Sequence, residues 1–216
     1  MVGMPRIEQG EVNMVYTPNQ SPLPIRIGFC GKMASGKTTM ANHLGSKLRL
    51  LTPPVRLGLR KISLASGVKE VATLVHGMKR NNKDRKLLQQ IGKAHREIEP
   101  LAWVKCLLNR IEDSCWGGGW VIDDVRFLNE VKELKKEGFV IVKLDISDEL
   151  QIERLKRTYG DDVSQHLQNR TDISESEIDE IPIELFDFSI EVCDGEEIFD
   201  EVYARLCELS AQYAVH

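Results

Sequence analysis

The stretch Ile25-Arg26-Ile27-Gly28-Phe29-Cys30-Gly31-Lys32-Met33-Ala34-Ser35-Gly36-Lys37-Thr38-Thr39-Met40-Ala41 decides how this 216-residue chain is read. Ile25–Cys30 is a short run of strand-forming residues. Lys37–Leu50 places Met40, Ala41, Leu44 and Leu48 at helical spacing. Between the two, Gly31–Thr38 fits GxxxxGK[ST] at every fixed position. The glycines permit a tight loop whose backbone N–H groups converge on one point, and the helix behind it adds its positive end. Strand, loop and helix in that order form a cradle for anions.

Such a cradle is a phosphate-binding loop, which makes Gly31, Lys32, Met33, Ala34, Ser35, Gly36, Lys37, Thr38 and Thr39 the candidate ATP contacts. Lys37 would reach the β- and γ-phosphates, and the Thr38 hydroxyl would ligate Mg²⁺. A chance glycine-rich turn would lack the flanking strand and helix. Enzymes with this loop also need a carboxylate at a neighbouring strand end to hold the metal. Trp120–Asp124 ends in two aspartates. Strand-end placement favours Asp124 for the active site and the metal, with one of the pair free to cap the helix that begins at Leu128. Val125 follows where motor-type and switch-type ATPases commonly place a water-activating glutamate, which favours transfer to a bound acceptor over hydrolysis.

Outward from this centre, strand and helix patterns alternate. Lys61–Leu64 reads as a short strand, followed by helices around Val68–Val75, Asp84–Gly92 and Leu101–Ile111. Leu128–Lys136 is a helix that stops at Gly138, a C′ glycine. Phe139–Ile146 is the near-continuous apolar run that parallel sheets require. Phe188–Cys193 is a last strand and Glu196–Leu209 a closing amphipathic helix. The expected architecture is α/β: a P-loop NTPase fold with a parallel sheet flanked by helices. Residues 1–23 read as a loose leader and 24–216 as one domain. Apolar content of 42%, charged content of 29% and a net charge of -4 argue against a dedicated nucleic-acid binder. No apolar run approaches the roughly 20 residues of a membrane helix, and no secretory signal is evident. The five scattered cysteines read as reduced thiols, so a cytoplasmic location is expected. The histidines, His43, His76, His95, His166 and His216, show no ligand spacing and are assigned no catalysis.

Several ordered segments between Ile25 and roughly Glu191 resemble the deoxynucleoside monophosphate kinase family known from bacteriophages and other viruses. Ile62-Ser63-Leu64-Ala65-Ser66-Gly67-Val68-Lys69-Glu70 is similar to that family's FADPLK stretch. Arg85–Gly92, with Arg96 and Trp103-Val104-Lys105, resembles its R-x-LLQ-x-x-G … R … WV region. Asp124-Val125-Arg126-Phe127-Leu128-Asn129-Glu130 resembles D-x-R-F-x-N-E, and Ser174-Glu175 its later SE motif. The chain departs from the family at Thr38, where many members carry Asp, and at Ser66 and Gly67, which stand for Asp and Pro.

The resemblance implies a helical monophosphate-binding insertion at about 63–115. There Lys69, Arg85, Gln89, Arg96, Arg126, Asn129 and Glu130 would face a nucleoside monophosphate. It also implies host cytoplasm for a phage or viral chain. Arginines suit an acceptor phosphate because they grip it bidentately. Arg154 and Arg157 share a helix face after the strongest strand, where small kinases carry a mobile lid; that lid is expected at about 150–172, with Arg170 a further candidate. The expected chemistry is in-line transfer from MgATP, with Lys37, Asp124, Arg126, Arg154 and Arg157 as the catalytic set. Two rivals stand beside it: another small-molecule kinase, such as a dephospho-coenzyme A kinase, and a nucleotide-binding module without turnover. A homodimer is left open.

Overall fold

A computed structural model describes residues 26–51, 58–79, 81–116, 118–160, 163–164 and 173–213. The leader, Arg170, His166, His216 and residues 161–162 and 165–172 of the expected lid lie outside the described residues. In chain order the elements are β1 (Arg26–Cys30), α1 (Lys37–Leu51), β2 (Leu59–Ile62), α2 (Ala65–Leu74), α3 (Arg85–Ile98) and α4 (Ala102–Glu112). There follow β3 (Gly119–Val125), α5 (Leu128–Lys136), β4 (Val140–Asp145), α6 (Asp148–Tyr159), α7 (Ile173–Glu180), β5 (Phe188–Glu191) and α8 (Glu197–Tyr213). The five strands form one parallel sheet in the order β2-β3-β1-β4-β5.

Strand alternation divides the core into two layers. Ile27 and Phe29 of β1, Val121 of β3 and Val140, Val142 and Leu144 of β4 face α1 and α8, meeting Met40, Leu44, Val202 and Leu206. Cys30, Ile122, Val125 and Ile141 face the other way, onto Trp103 and Leu107 of α4 and Val131 and Leu134 of α5. Both faces of the sheet are therefore covered, which is why its strands read as continuous apolar runs rather than alternating ones.

One irregularity matters for the site. Gly28 pairs with Ile122 but Cys30 pairs with Val125, so β3 carries one residue more than β1 across Asp123 and Asp124. This bulge puts Val125 on the same face as Ile122 although the two are three residues apart.

The ends of the elements follow their residue types. Asp84 caps α3 by accepting from Leu87 N at 3.0 Å, and Ser147 caps α6 by accepting from Leu150 N at 3.2 Å. Gly138, at φ 76°, ends α5 with Phe139 N donating to Leu134 O at 3.0 Å. Neither Asp123 nor Asp124 caps α5. That end is closed by Glu130, whose carboxylate accepts from Arg126 N at 3.0 Å and Phe127 N at 3.2 Å.

Helices α2, α3 and α4 form the insertion beside the sheet. Gly67 lets α2 lie against α4: a Cβ there would come within 3.0 Å of the Trp103 ring and 3.1 Å of Cys106 Sγ. Trp103 Nε1 donates to Gly92 O at 3.2 Å and ties α4 to α3. Gly67→Val should therefore overpack this junction and destabilise the protein by about 1–3 kcal/mol in chemical denaturation. Unchanged stability would show that the two helices are not held this closely.

Candidate functional site

The loop between β1 and α1 is held in a shape few residues tolerate. Gly31 lies at φ 153°, and a Cβ there would sit 2.5 Å from the Leu144 carbonyl oxygen of β4. Gly36 lies at φ 91°, and Ala34 takes the left-handed region at φ 63°. The Lys37 ammonium, nearly buried, donates to Gly31 O and Lys32 O, both at 2.6 Å, and lies 3.4 Å from Ser35 Oγ. Lys32 pairs with Asp179 of α7 at 2.8 Å. Met33 to Thr39 line a cavity of about 700 Å³, while Gly31 and Lys32 lie beneath its wall.

The second acidic element differs from expectation. Thr38 Oγ1 donates to Asp123 Oδ2 at 2.8 Å, so Asp123, not Asp124, faces the loop threonine. Lys61 of β2 approaches the same carboxylate oxygen at 3.3 Å. Asp124 instead accepts from Ser63 Oγ at 2.6 Å, Leu64 N at 2.8 Å and Ala65 N at 2.9 Å, fastening the start of α2. Successive side chains of a strand point to opposite faces, so the two neighbours reach different partners. A hydroxyl and a carboxylate oxygen in contact are hard ligands of the kind Mg²⁺ takes, so this pair fits the ion the loop implies.

A second cavity, also about 700 Å³, adjoins the first on the side of the insertion. Ala65, Lys69, Asp124 and Arg126 line both. Gln89 and Arg96 line the second as well, together with the apolar Leu64, Val68, Leu88 and Phe127. The Arg96 guanidinium lies over the Phe127 ring at 4.4 Å and 3.4 Å from Glu130 Oε1, which holds it flat.

Three expected acceptor contacts lie elsewhere. Arg85 is exposed at the start of α3 and lines neither of the two large cavities. Asn129 donates to Pro100 O at 2.9 Å and borders a separate depression. Glu130 is buried beneath Arg96 as the closing carboxylate of α5. The polar character of Asn129 and Glu130 was legible in the sequence, but the Pro100 carbonyl and the start of α5 absorb it.

Arg154 and Arg157 both line the first cavity. Arg154 is pinned, with Nε and Nη2 donating to Asp194 Oδ1 at 3.0 and 2.8 Å, and Nη1 donating to Ala34 O at 3.2 Å. Arg157 lies 3.5 Å from the other Asp194 oxygen. Sequence reading passed over Asp194, Gln151 and Lys61. The acid-glycine pair after the last strand was the available signal, because ligands gather at the carboxyl ends of parallel strands. Ile198 and Phe199 of α8 complete the far wall, with the His43 ring stacked on Phe199 at 4.6 Å.

Cys30 and Glu130 are among the groups whose titration departs from the ordinary range. Burial pushes the Cys30 thiol up to about 12, so it stays protonated at the end of β1. Burial also raises Glu130, against the lowering effect of the Arg126 and Phe127 amides and the Arg96 charge.

No family model matches the sequence, and no curated protein does. Among solved structures, TT1252 from Thermus thermophilus aligns at TM-score 0.57 and 17% identity, over 87% of this chain and 98% of that one. Shikimate kinase from Acinetobacter baumannii in complex with shikimate aligns at TM-score 0.51 and 18% identity, over 90% of this chain and 96% of that one. A dephospho-CoA kinase from Campylobacter jejuni aligns at TM-score 0.49 and 16% identity, over 87% and 98%. The likeness to the first two establishes the fold: the chain has the α/β architecture of P-loop NTPases.

A raised carboxyl pKa means that the folded state holds its proton more tightly than the unfolded chain. The stability Glu130 contributes is then complete below its unfolded value of 4.5 and is lost as pH rises through the folded value. Glu130→Gln should accordingly gain on the wild type as pH rises from 4 to 8, read from unfolding midpoints in a pH series. A constant gap would show that Glu130 has an ordinary pKa.

Proposed function

We propose that the protein transfers the γ-phosphoryl group of MgATP to the phosphate of a nucleoside monophosphate, giving ADP and a nucleoside diphosphate. The observation that carries this reading is the pair of adjoining cavities, one on the phosphate loop and one on the helical insertion, with Lys69 and Arg126 at their junction. A donor and an acceptor need such neighbouring sites, and transfer between two anionic phosphates needs cations where they meet. The second cavity joins an apolar wall to Arg96 and Gln89, which suits a flat base with a polar edge and an anionic group. The resemblance to deoxynucleoside monophosphate kinases points the same way, since it falls on the segments that build this cavity.

In this reading Lys37 and the loop amides bind the β- and γ-phosphates. Thr38 and Asp123 would hold Mg²⁺, which would supply positive charge beside the phosphates. Asp124 keeps the start of α2, and with it Lys69, against the loop. Arg126 neutralises the acceptor and migrating phosphates. Arg157, on the wall of the first cavity, adds charge beside the donor. Catalysis is then mainly positioning and electrostatics, and no strong general base is required.

One observation favours a second reading. Asp124 is a carboxylate on the wall of both cavities, the position a general base would take if the acceptor were a hydroxyl. A panel of acceptors decides between the two. ADP release from MgATP is measured with the four deoxynucleoside monophosphates, their ribose counterparts, dephospho-CoA and shikimate. Stimulation by one or more monophosphates, falling at least about 10²-fold in Lys37→Ala, is the expected result. Stimulation only by an acceptor hydroxyl would replace the first reading with the second. ATP binding without turnover on any acceptor would leave a binding module.

A further inference from the structure

Helix α6 grips the outer limb of the phosphate loop through two side chains one turn apart. Buried Gln151 donates from Nε2 to Met33 O at 2.9 Å, and Arg154 donates from Nη1 to Ala34 O at 3.2 Å. These carbonyls flank the one non-glycine residue with positive φ among the described residues, Ala34 at φ 63°. That backbone conformation costs about 1 kcal/mol or more and persists only where its surroundings hold it.

The other end of Arg154 is tied to the loop after β5. Nη2 donates to Cys193 O at 2.9 Å as well as to Asp194, and Asp194 also bridges to Arg157. Cys193, Asp194 and Gly195 line the first cavity, as do Ile198 and Phe199. One guanidinium therefore ties two neighbouring parts of the cavity wall, the phosphate loop and the loop after β5. Asp194 makes the only carboxylate contact to that arginine among the described residues, and a charge-assisted pair of this kind fixes direction as well as proximity. The guanidinium side chain is 17% exposed, while the Asp194 carboxylate is 47% exposed and in reach of water.

We propose that Asp194 is a positioning residue for the donor nucleotide: through Arg154 it holds the loop after β5 and the phosphate loop in one register. The inference rests on the ATP-site reading given above and needs no acceptor. Arg154 is in this account a fixed strut rather than a swinging lid residue. Without Asp194 the guanidinium loses its charged partner, and the tie between the phosphate loop and the loop after β5 is weakened.

The test compares two ligands by calorimetry: MgATP, which spans both walls, and magnesium tripolyphosphate, which reaches only the phosphate loop. Asp194→Ala should weaken MgATP about tenfold and tripolyphosphate less than about threefold, with the unfolding midpoint within a few degrees of wild type. Asp194→Asn, which keeps the shape, provides the same reading if the alanine variant folds poorly. Adding Arg154→Ala should cause little further loss, because both substitutions break one strut. Equal weakening of both ligands, unchanged ATP affinity, or losses that multiply in the double variant would each overturn the proposal. A wild-type protein that binds no MgATP would instead refute the ATP-site reading itself.

Discussion

The approach of Gly31 to the carbonyl of Leu144 is the constraint on which the site is built. With 2.5 Å between that oxygen and the place of a Cβ, only glycine lets the chain leave β1 so close to β4. The turn that results brings the carbonyls of Gly31 and Lys32 within 2.6 Å of the Lys37 ammonium and starts α1 directly behind the loop. The groups proposed to meet the phosphates depend on it: the first-turn amides of α1, the lysine and the threonine. Neighbouring strands then bring their own ends to the same edge of the sheet. β3 offers its two aspartates, β2 leads into Ser63 and α2, and β5 leads into Asp194.

Much of this was legible in the sequence, for definite reasons. Gly31–Thr38 has fixed residue types because both the backbone shape and the ligand chemistry restrict them, so the loop could be placed to the residue. The strands β1, β3 and β4 are buried on both faces and appear as apolar runs within a residue or two of their observed ends. Leu128–Lys136 was bounded correctly because Gly138 ends it. The insertion appeared as helices because Leu88, Ile91, Trp103 and Leu107 fall at helical spacing over a buried face.

The rest depends on tertiary geometry that residue types do not encode. Alternation along β3 turns Asp123 toward α1 and Asp124 toward α2, and the strand-end rule alone does not say which of the two meets Thr38. Glu130 and Asn129 have the chemistry of ligand-reading residues, but the start of α5 and the carbonyl of Pro100 take up that chemistry. Arg154 was expected beside a cover, and its guanidinium meets Ala34 O and Asp194. The partners of Asn129 and Arg154 lie on elements distant in sequence, which periodicity cannot reveal, whereas the amides that donate to Glu130 are three and four residues away.

The account's central claim is that the two cavities hold a donor and an acceptor whose phosphates meet beside Arg126. A bisubstrate ligand tests it directly: adenosine joined through five phosphates to a deoxynucleoside, with the four bases tried in turn, titrated by calorimetry beside ATP alone. The account predicts that at least one such compound binds at least about 10²-fold more tightly than ATP, because tethering makes the second binding event intramolecular. The gain should disappear in Arg126→Ala. Affinity no better than that of ATP for all four bases would contradict the claim and leave the second cavity to some other ligand.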